Sequence, residues 1–181
     1  LDASKVDELL ARDDIYFLAE MMNYPGVIEQ DAQVHAKLAA ARKYHKPIDG
    51  HAPELTGEGL KAYAAAGIST DHECMTTAEA EEKIALGMQI LIREGSAAKN
   101  FDDLLPLMKN FADRIMFCSD DKHPDDLLKN GHINTLARRA VAAGYNPVDV
   151  LRVCSYNPVK HYGLNVGLLQ LGDEADFVIV D

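Results

Sequence analysis

The sequence lacks the features that mark several large classes of protein. It has no apolar run near the roughly 20 residues that a membrane-spanning helix needs, and its polar N-terminus has no signal-peptide core. Its three cysteines, Cys74, Cys118 and Cys154, are odd in number and widely spaced, so neither a paired zinc motif nor a disulfide framework is indicated. These absences predict a soluble protein of the reducing cytoplasm, with no membrane partner.

Basic residues are scarce relative to acidic ones. Eighteen Lys and Arg residues stand against 29 Asp and Glu residues, which gives a formal net charge of −11. Such a charge repels a phosphate backbone and argues against a nucleic-acid partner. The 181 residues are 48% hydrophobic and 26% charged, an ordinary globular composition that excludes disordered and fibrous classes.

Strand and helix patterns alternate along the chain. This alternation predicts βα units and an α/β fold with a parallel sheet. The predicted strands are Ile15–Glu20, Pro47–His51, Gly67–His72, Met88–Arg93 and Arg114–Asp120. The predicted helices are one capped by Ser4 and running to Arg12, then Asp31–Tyr44, Gly59–Ala66, one opening at Thr77, Phe101–Asn110, His132–Ala143, Pro147–Cys154 and Pro158–Tyr162, with a break at Asn23–Gly26.

Five strands are too few to close an eight-stranded barrel, so about three further βα units are expected upstream. The chain starts at Leu1 rather than at methionine, and the strand-like run Ala175–Asp181 stops without a turn. We therefore expect an excerpt of a longer polypeptide.

Four of the predicted strands end in a possible metal ligand or general base: Glu20, His51, His72 and Asp120. If the strands are parallel, these groups share one rim, where barrel enzymes build active sites. Imidazole suits zinc, iron and manganese alike, and a carboxylate such as Asp120 can take a proton from metal-activated water. Glu20 could equally be a solvated strand end. Asp120 and Asp121 could cap the next helix, or Asp121 alone could cap it while Asp120 does chemistry.

Further polar groups follow the same strand ends. Glu73 is a candidate proton shuttle, or else a group that holds an imidazole in place. Arg93, Glu94 and Ser96 could offer polar contacts to a heterocycle, or form a loop salt bridge. His123 lies in a loop beyond the last strand, within reach of a substrate. The expected substrate-binding residues are Arg93, Glu94, Ser96, Asp121 and His123.

The order Glu, His, His, Asp on successive strand ends resembles the amidohydrolase superfamily. Within this superfamily, the short sequence motifs resemble those of the bacterial adenine deaminase family over essentially the whole chain. The segments that carry this resemblance are Ala19–Val27, Asp49–Pro53, Thr70–Glu73, Arg93–Lys99 and Cys118–Asp121.

The resemblance implies a partial TIM (β/α)8 barrel of the metal-dependent hydrolase type, comprising about strands four to eight. Residues 1–164 would form the C-terminal part of the barrel, and residues 165–181 would begin the return into a small β domain. The paired histidines that the family carries on its first strand are absent from these residues, so only part of a metal site is expected here.

The resemblance also implies a binuclear centre of Mn(II) or Fe(II), with Zn(II) as another possibility. Glu20 would bridge the two ions, His51 and His72 would ligate one of them, and Asp120 would bind metal and relay a proton.

The implied reaction is hydrolysis of adenine to hypoxanthine and ammonia. Asp120 or Glu20 would take the proton of water, and Glu73 or Glu20 would protonate the ring. The expected partners are adenine, water, the remainder of the polypeptide and further copies of it in a homo-oligomer. The excerpt alone is expected to be inactive. Two alternatives stay open: an amidohydrolase acting on a cyclic amide or another amino-substituted ring, and a catalytically dead metal-binding scaffold.

Overall fold

A computed structural model describes residues 1–180 and shows parallel strands alternating with helices, as the sequence predicts. The strands are β1 (Leu18–Met21), β2 (Ile48–Gly50), β3 (Thr70–Asp71), β4 (Gln89–Arg93) and β5 (Ile115–Cys118). The α-helices are α1 (Ala3–Leu10), α2 (Tyr24–Ile28), α3 (Ala32–Lys43), α4 (Gly57–Ala65), α5 (Thr77–Ala85), α6 (Phe101–Leu104), α7 (Met108–Phe111), α8 (Pro124–Asn130), α9 (Ile133–Ala142), α10 (Pro147–Leu151) and α11 (Asn157–Tyr162).

The strands follow one another in chain order. β1 pairs with β2, and β3, β4 and β5 form a three-stranded sheet, with every pair parallel. The two sheets meet where the Ser69 N–H donates to the Ile48 carbonyl at 2.9 Å. Because all the strands run the same way, their carboxyl ends lie at one edge, which is called the rim below.

The core divides into two apolar clusters on either side of this junction. The first packs β1 and β2 against α1, α3 and α4, around the fully buried Leu38, Ile48 and Leu60. The second packs β4 and β5 against α5, α6, α7, α9 and α10, around Ile92 and Ile115. The middle strand β4 is apolar and buried along nearly its whole length, as expected for a parallel strand covered on both faces.

Several element ends differ from the sequence predictions because of side-chain capping. The cap of α1 is Asp2 rather than Ser4, since the Asp2 carboxylate accepts the Lys5 N–H at 2.9 Å. The predicted break after β1 is the short helix α2. Asn23 caps it by accepting the Gly26 N–H at 3.1 Å.

Irregular turns replace two of the longer predicted helices. The helix predicted over Phe101–Asn110 is interrupted by a 3₁₀ turn at Leu105–Leu107, where Pro106 lacks the N–H that a continuous helix requires. The helix predicted from Pro147 ends at Leu151 and continues as a π-helical turn over Arg152–Tyr156.

The C-terminal segment has no regular structure. Residues 175–180 are exposed and form no strand, whereas the sequence predicts one there, and Asp181 lies outside the described residues. The predicted return into a small β domain therefore stays a prediction. Among residues 1–180, no helix is long and apolar enough to cross a bilayer.

We expect the Ile92→Ala substitution to lower the free energy of unfolding by about 2–5 kcal/mol, because it leaves a cavity where a fully buried side chain fills the sheet core. Denaturant unfolding of wild type and variant measures this difference. The matched control is Val148→Ala on α10, whose side chain is 68% exposed. Equal losses from both substitutions would contradict the described core.

Candidate metal centre

Three of the four predicted ligands, Glu20, His51 and His72, meet at the rim. Glu20 lies in β1, and the two histidines directly follow β2 and β3. Glu20 Oε1 lies 3.4 Å from His51 Nδ1, and its Oε2 lies 3.1 Å from His72 Nε2. The two imidazole rings are 5.3 Å apart, centroid to centroid, at an angle of 69°. The structure therefore brings together side chains that are up to 52 positions apart in sequence.

The histidine nitrogens that face this cluster are fit to hold a metal ion. Among the described residues, His51 Nδ1 and His72 Nε2 are buried atoms without a hydrogen-bond partner, which is unusual for buried polar atoms. The carboxylate oxygens near them are 3.1–3.5 Å away. Such spacing suits donors that share one ion with bonds of about 2.0–2.2 Å.

Glu73 and Asp120 extend the cluster. Glu73 Oε1 lies 3.3 Å from His51 Nδ1 and 3.5 Å from His72 Nε2. His72, Glu73 and Asp120 form a second possible ligand group that shares His72 with the first, and within each group the ligand atoms lie within 4.8 Å of one another. Asp120 follows β5 and takes a left-handed backbone conformation, with φ of 43°, which aspartate tolerates better than most residues.

Arg93 at the end of β4 connects the two proton-transfer candidates. Its Nη1 lies 2.5 Å from Glu73 Oε1 and 2.5 Å from Asp120 Oδ2, and its Nη2 donates to Glu73 Oε2 at 2.9 Å. The sequence left open a substrate contact or a loop salt bridge. The structure shows ion pairs that cross from β4 to the ends of β3 and β5. Arg93 pairs with two of the three rim carboxylates and leaves Glu20 without a cationic partner among the described Lys and Arg residues, so the rim keeps an excess of negative charge that attracts a cation.

The other predicted substrate residues lie in the loops after β4 and β5, where most of them bind one another. Asp121 accepts the Ser96 and Ala97 N–H groups at 3.1 and 3.0 Å, so the suggestion that it caps the following helix is wrong. Ser96 Oγ accepts the His123 N–H at 2.8 Å and donates to Asp126 at 2.5 Å. These residues join the two loops, and the set is called the β4–β5 loop contact below.

Glu94 points elsewhere. Its Oε1 lies 2.9 Å from Arg139 Nη1 on α9, and the same guanidinium binds Asp102 at 2.7 Å. Glu94 therefore fixes the loop after β4 to the helical layer.

The sequence interpretation missed a buried charged network beneath the rim. Lys83 on α5 is fully buried, and its ammonium donates to Asp71 Oδ2 at 3.1 Å and to Glu79 Oε1 at 2.7 Å. Asp71, Glu79 and Cys74 also form a possible ligand group, but Lys83 already supplies the cation there. The spacing of Lys83 from Ala80 and Ile84 places it on the buried face of the helix, a signal that periodicity could have given.

The charges in this network stabilise one another. Burial by itself would lower the pKa of Lys83, but the carboxylates of Asp71 and Glu79 outweigh it and hold that pKa above its usual value. Burial likewise opposes ionisation of Asp71, but Lys83 together with the Ala52 N–H and the Cys74 thiol outweighs it, so the pKa of Asp71 lies below its usual value. Lys83 and Asp71 are therefore both ionised at neutral pH.

Comparison with known proteins assigns the chain that carries this rim to a family. The model of the amidohydrolase family matches residues 3–181. The chain belongs to the amidohydrolase family. This confirms the superfamily predicted from the strand-end residues, and membership implies the use of a divalent metal ion, for which the rim offers ligands.

Individual relatives of this amidohydrolase carry a more specific name. The chain is 57% identical to an adenine deaminase of Methanosarcina mazei and 58% identical to one of Salinibacter ruber, in each case over 181 residues that make up 100% of this chain and 33% of the relative. An adenine deaminase of Borreliella burgdorferi is 51% identical over 183 residues, covering 99% of this chain and 33% of its own. The chain thus spans about a third of the length of the curated relatives it matches.

A solved structure supports the fold of this amidohydrolase. A TatD homologue from Escherichia coli superposes with a TM-score of 0.60 at 12% identity, over 90% of this chain and 70% of its own. The likeness supports the α/β fold. The assignment of the strands to positions four to eight of a barrel stays a prediction.

We expect Mn²⁺ to raise the unfolding temperature of the wild-type protein, because an ion that binds only the folded state stabilises it by about 2.7 kcal/mol at 100 times its Kd. His72→Asn removes a buried ligand and abolishes most of this rise in a thermal scan. The control is His45→Asn, at an exposed position with φ of 53° that asparagine tolerates. An equal Mn²⁺ response in both variants would rule out His72 as a ligand.

We expect Gly95→Ala to destabilise the protein by about 1–3 kcal/mol, since an added methyl group would overlap Asp121 Oδ1 in the β4–β5 loop contact. A double-mutant cycle with Asp121→Ala, measured by denaturant unfolding, tests this cause. The cost of Gly95→Ala then shrinks in the Asp121→Ala background. Strictly additive losses would show that the two residues do not interact.

Proposed function

We propose that this chain is the metal-binding part of an adenine deaminase, which hydrolyses adenine to hypoxanthine and ammonia. The observation that carries the proposal is the convergence of Glu20, His51, His72, Glu73 and Asp120 at one rim. The names of relatives at 51–58% identity support the choice of adenine over other substrates.

We further propose a binuclear centre of Mn²⁺ or Fe²⁺, with Zn²⁺ as an alternative, held by Glu20, His51, His72 and Asp120. Glu20 places one carboxylate oxygen near His51 and the other near His72, and a carboxylate with two such oxygens could bridge two ions. When bound, a divalent ion supplies Lewis-acid chemistry that makes water a nucleophile near neutral pH.

The chain's own carboxylates would accept and donate the protons of the reaction. Asp120 or Glu20 accepts a proton as water adds to the ring carbon that bears the amino group. Glu73 or Glu20 gives a proton to the adjacent ring nitrogen, and a second proton transfer to the amino group lets ammonia leave. Water thereby supplies the oxygen of hypoxanthine, and its two protons end on the ring nitrogen and on ammonia.

The contacts of Arg93 support these separate proton-transfer roles of Glu73 and Asp120. Its guanidinium binds both oxygens of Glu73 and one of Asp120, so it holds the two carboxylates at fixed positions on opposite sides of β4. We therefore assign Arg93 a positioning role beside the substrate contact that the sequence predicts for it. Glu94, Ser96, Asp121 and His123 would shape the substrate end of the rim through the loops that they fix.

The proposed assembly is larger than the described chain. Residues 1–164 would form about strands four to eight of a barrel, and residues 165–181 would begin a small β domain. The remaining polypeptide would complete the metal site, and a homo-oligomer in the cytoplasm is the proposed active form. Three free cysteines support a reducing compartment.

The deciding experiment is an assay of hypoxanthine formation from adenine by the full natural chain expressed with Mn²⁺. We expect Asp120→Asn to lower kcat by about 10²–10⁴-fold, the usual contribution of general acid–base catalysis. The control is Asp125→Asn, which alters an exposed carboxylate paired only with the exposed Lys129. Equal activity in the two variants would contradict the role of Asp120.

Parallel assays with guanine and a dihydropyrimidine separate the proposal from its alternatives. Turnover of one of these compounds without turnover of adenine identifies a different amidohydrolase. Binding of Mn²⁺ without turnover of any of the three compounds indicates a catalytically inactive scaffold.

A further inference from the structure

Two buried side chains beneath the rim tie together the backbone segments that carry the metal ligands. The first is Tyr63 on α4, which is fully buried. Its hydroxyl oxygen accepts the His51 N–H at 3.0 Å and donates to the Met21 carbonyl at 2.8 Å. Met21 directly follows Glu20, so Tyr63 connects the segment of Glu20 to that of His51.

The second is Lys83 on α5. Its ammonium donates to the Ala52 carbonyl at 2.7 Å and to Asp71 Oδ2 at 3.1 Å, while Asp71 Oδ1 accepts the Ala52 N–H at 2.8 Å. Ala52 directly follows His51, and Asp71 directly precedes His72. Lys83 and Asp71 therefore connect the segments of the two histidines.

These hydrogen bonds of Tyr63 and Lys83 connect the backbone segments at the ends of β1, β2 and β3, where regular strand pairing stops. β2 stops at Gly50, β3 is only two residues long, and the pairing of β1 with β2 is irregular between Leu18 and Met21. His51 and His72 lie beyond these ends. The backbone at Gly50 lies close to Thr70 and Tyr63. A methyl group added at Gly50 would overlap the Thr70 carbonyl and lie 2.8 Å from Tyr63 Oη.

The choice of a lysine also points to a positional role. A buried ammonium is costly to desolvate, and an apolar side chain of similar volume often serves stability as well or better. Two of the three hydrogen bonds of Lys83 go to residues adjacent to a proposed ligand, and the third goes to Glu79. Glu79 in turn accepts the Glu54 N–H at 2.9 Å, on the same segment as His51.

We propose that Tyr63 and Lys83 are positioning residues that set the distances among Glu20, His51 and His72 through the backbone. The inference rests on the proposed function only in requiring that these three side chains bind metal. Neither residue touches the ion or the substrate.

The test compares Tyr63→Phe and Lys83→Met with wild type in the full natural chain. Affinity for Mn²⁺ is measured by titration with electron paramagnetic resonance of the free ion, and unfolding temperature is recorded separately. We expect affinity to fall by about 10–100-fold, as for other groups that orient metal ligands. For adenine, kcat falls more than KM rises, since the substrate contacts remain.

The matched control is Ser69→Ala. Its hydroxyl donates to the Ile48 carbonyl at 3.0 Å and lies 3.3 Å from His161 Nε2, so the substitution removes side-chain contacts just before β3, away from the carboxyl ends of the strands. Mn²⁺ affinity like that of wild type is expected. Tyr63→Phe keeps the ring and is expected to fold even if Lys83→Met does not.

Mn²⁺ affinity in Tyr63→Phe equal to that in Ser69→Ala, whatever the change in unfolding temperature, would overturn the inference. A wild-type protein that binds no divalent ion would overturn it together with the proposed metal centre. Weakened Mn²⁺ binding in Tyr63→Phe, in a protein that forms no hypoxanthine, would support the inference and reject only the proposed substrate.

Discussion

The common direction of five short strands is the constraint on which the site depends. Because all of them run parallel and in chain order, residues that follow different strands reach one rim. The strands are two to five residues long, so their ladders offer few hydrogen bonds. Side chains from the covering helices complete the rim, as when Asn100 donates to the His72 and Cys74 carbonyls and accepts the Arg93 N–H.

The positions of the cationic side chains distinguish two acidic clusters, the buried cluster of Asp71 and Glu79 and the cluster at the rim. Lys83 sits inside the deeper cluster and satisfies Asp71 and Glu79 with direct ion pairs. At the rim, Arg93 binds Glu73 and Asp120 but leaves two imidazole nitrogens beside Glu20 without hydrogen-bond partners among the described residues. The deeper cluster therefore already holds a cationic side chain between its carboxylates, whereas the rim has donor atoms to offer a cation.

The comparisons and the geometry support each other at different levels. The family model gives the class of hydrolase, and the TatD likeness concerns the fold alone. The geometry of the rim bears on the reaction, because its carboxylates and imidazoles are the groups that metal-assisted hydrolysis needs. The relatives named adenine deaminase are about three times as long as this chain, so the substrate remains part of the proposal.

The sequence by itself determined the α/β order, the approximate strands and the choice of Glu20, His51 and His72 as candidate ligands. These follow from apolar patterning and from residue types at strand ends, both of which are local. Only the tertiary structure decided that Arg93 joins Glu73 to Asp120, that Asp121 binds the neighbouring loop, and that Tyr63 and Lys83 lie beneath the ligands. These contacts join side chains that are distant in sequence, and their partners are fixed only when strands and helices pack, which no local pattern specifies.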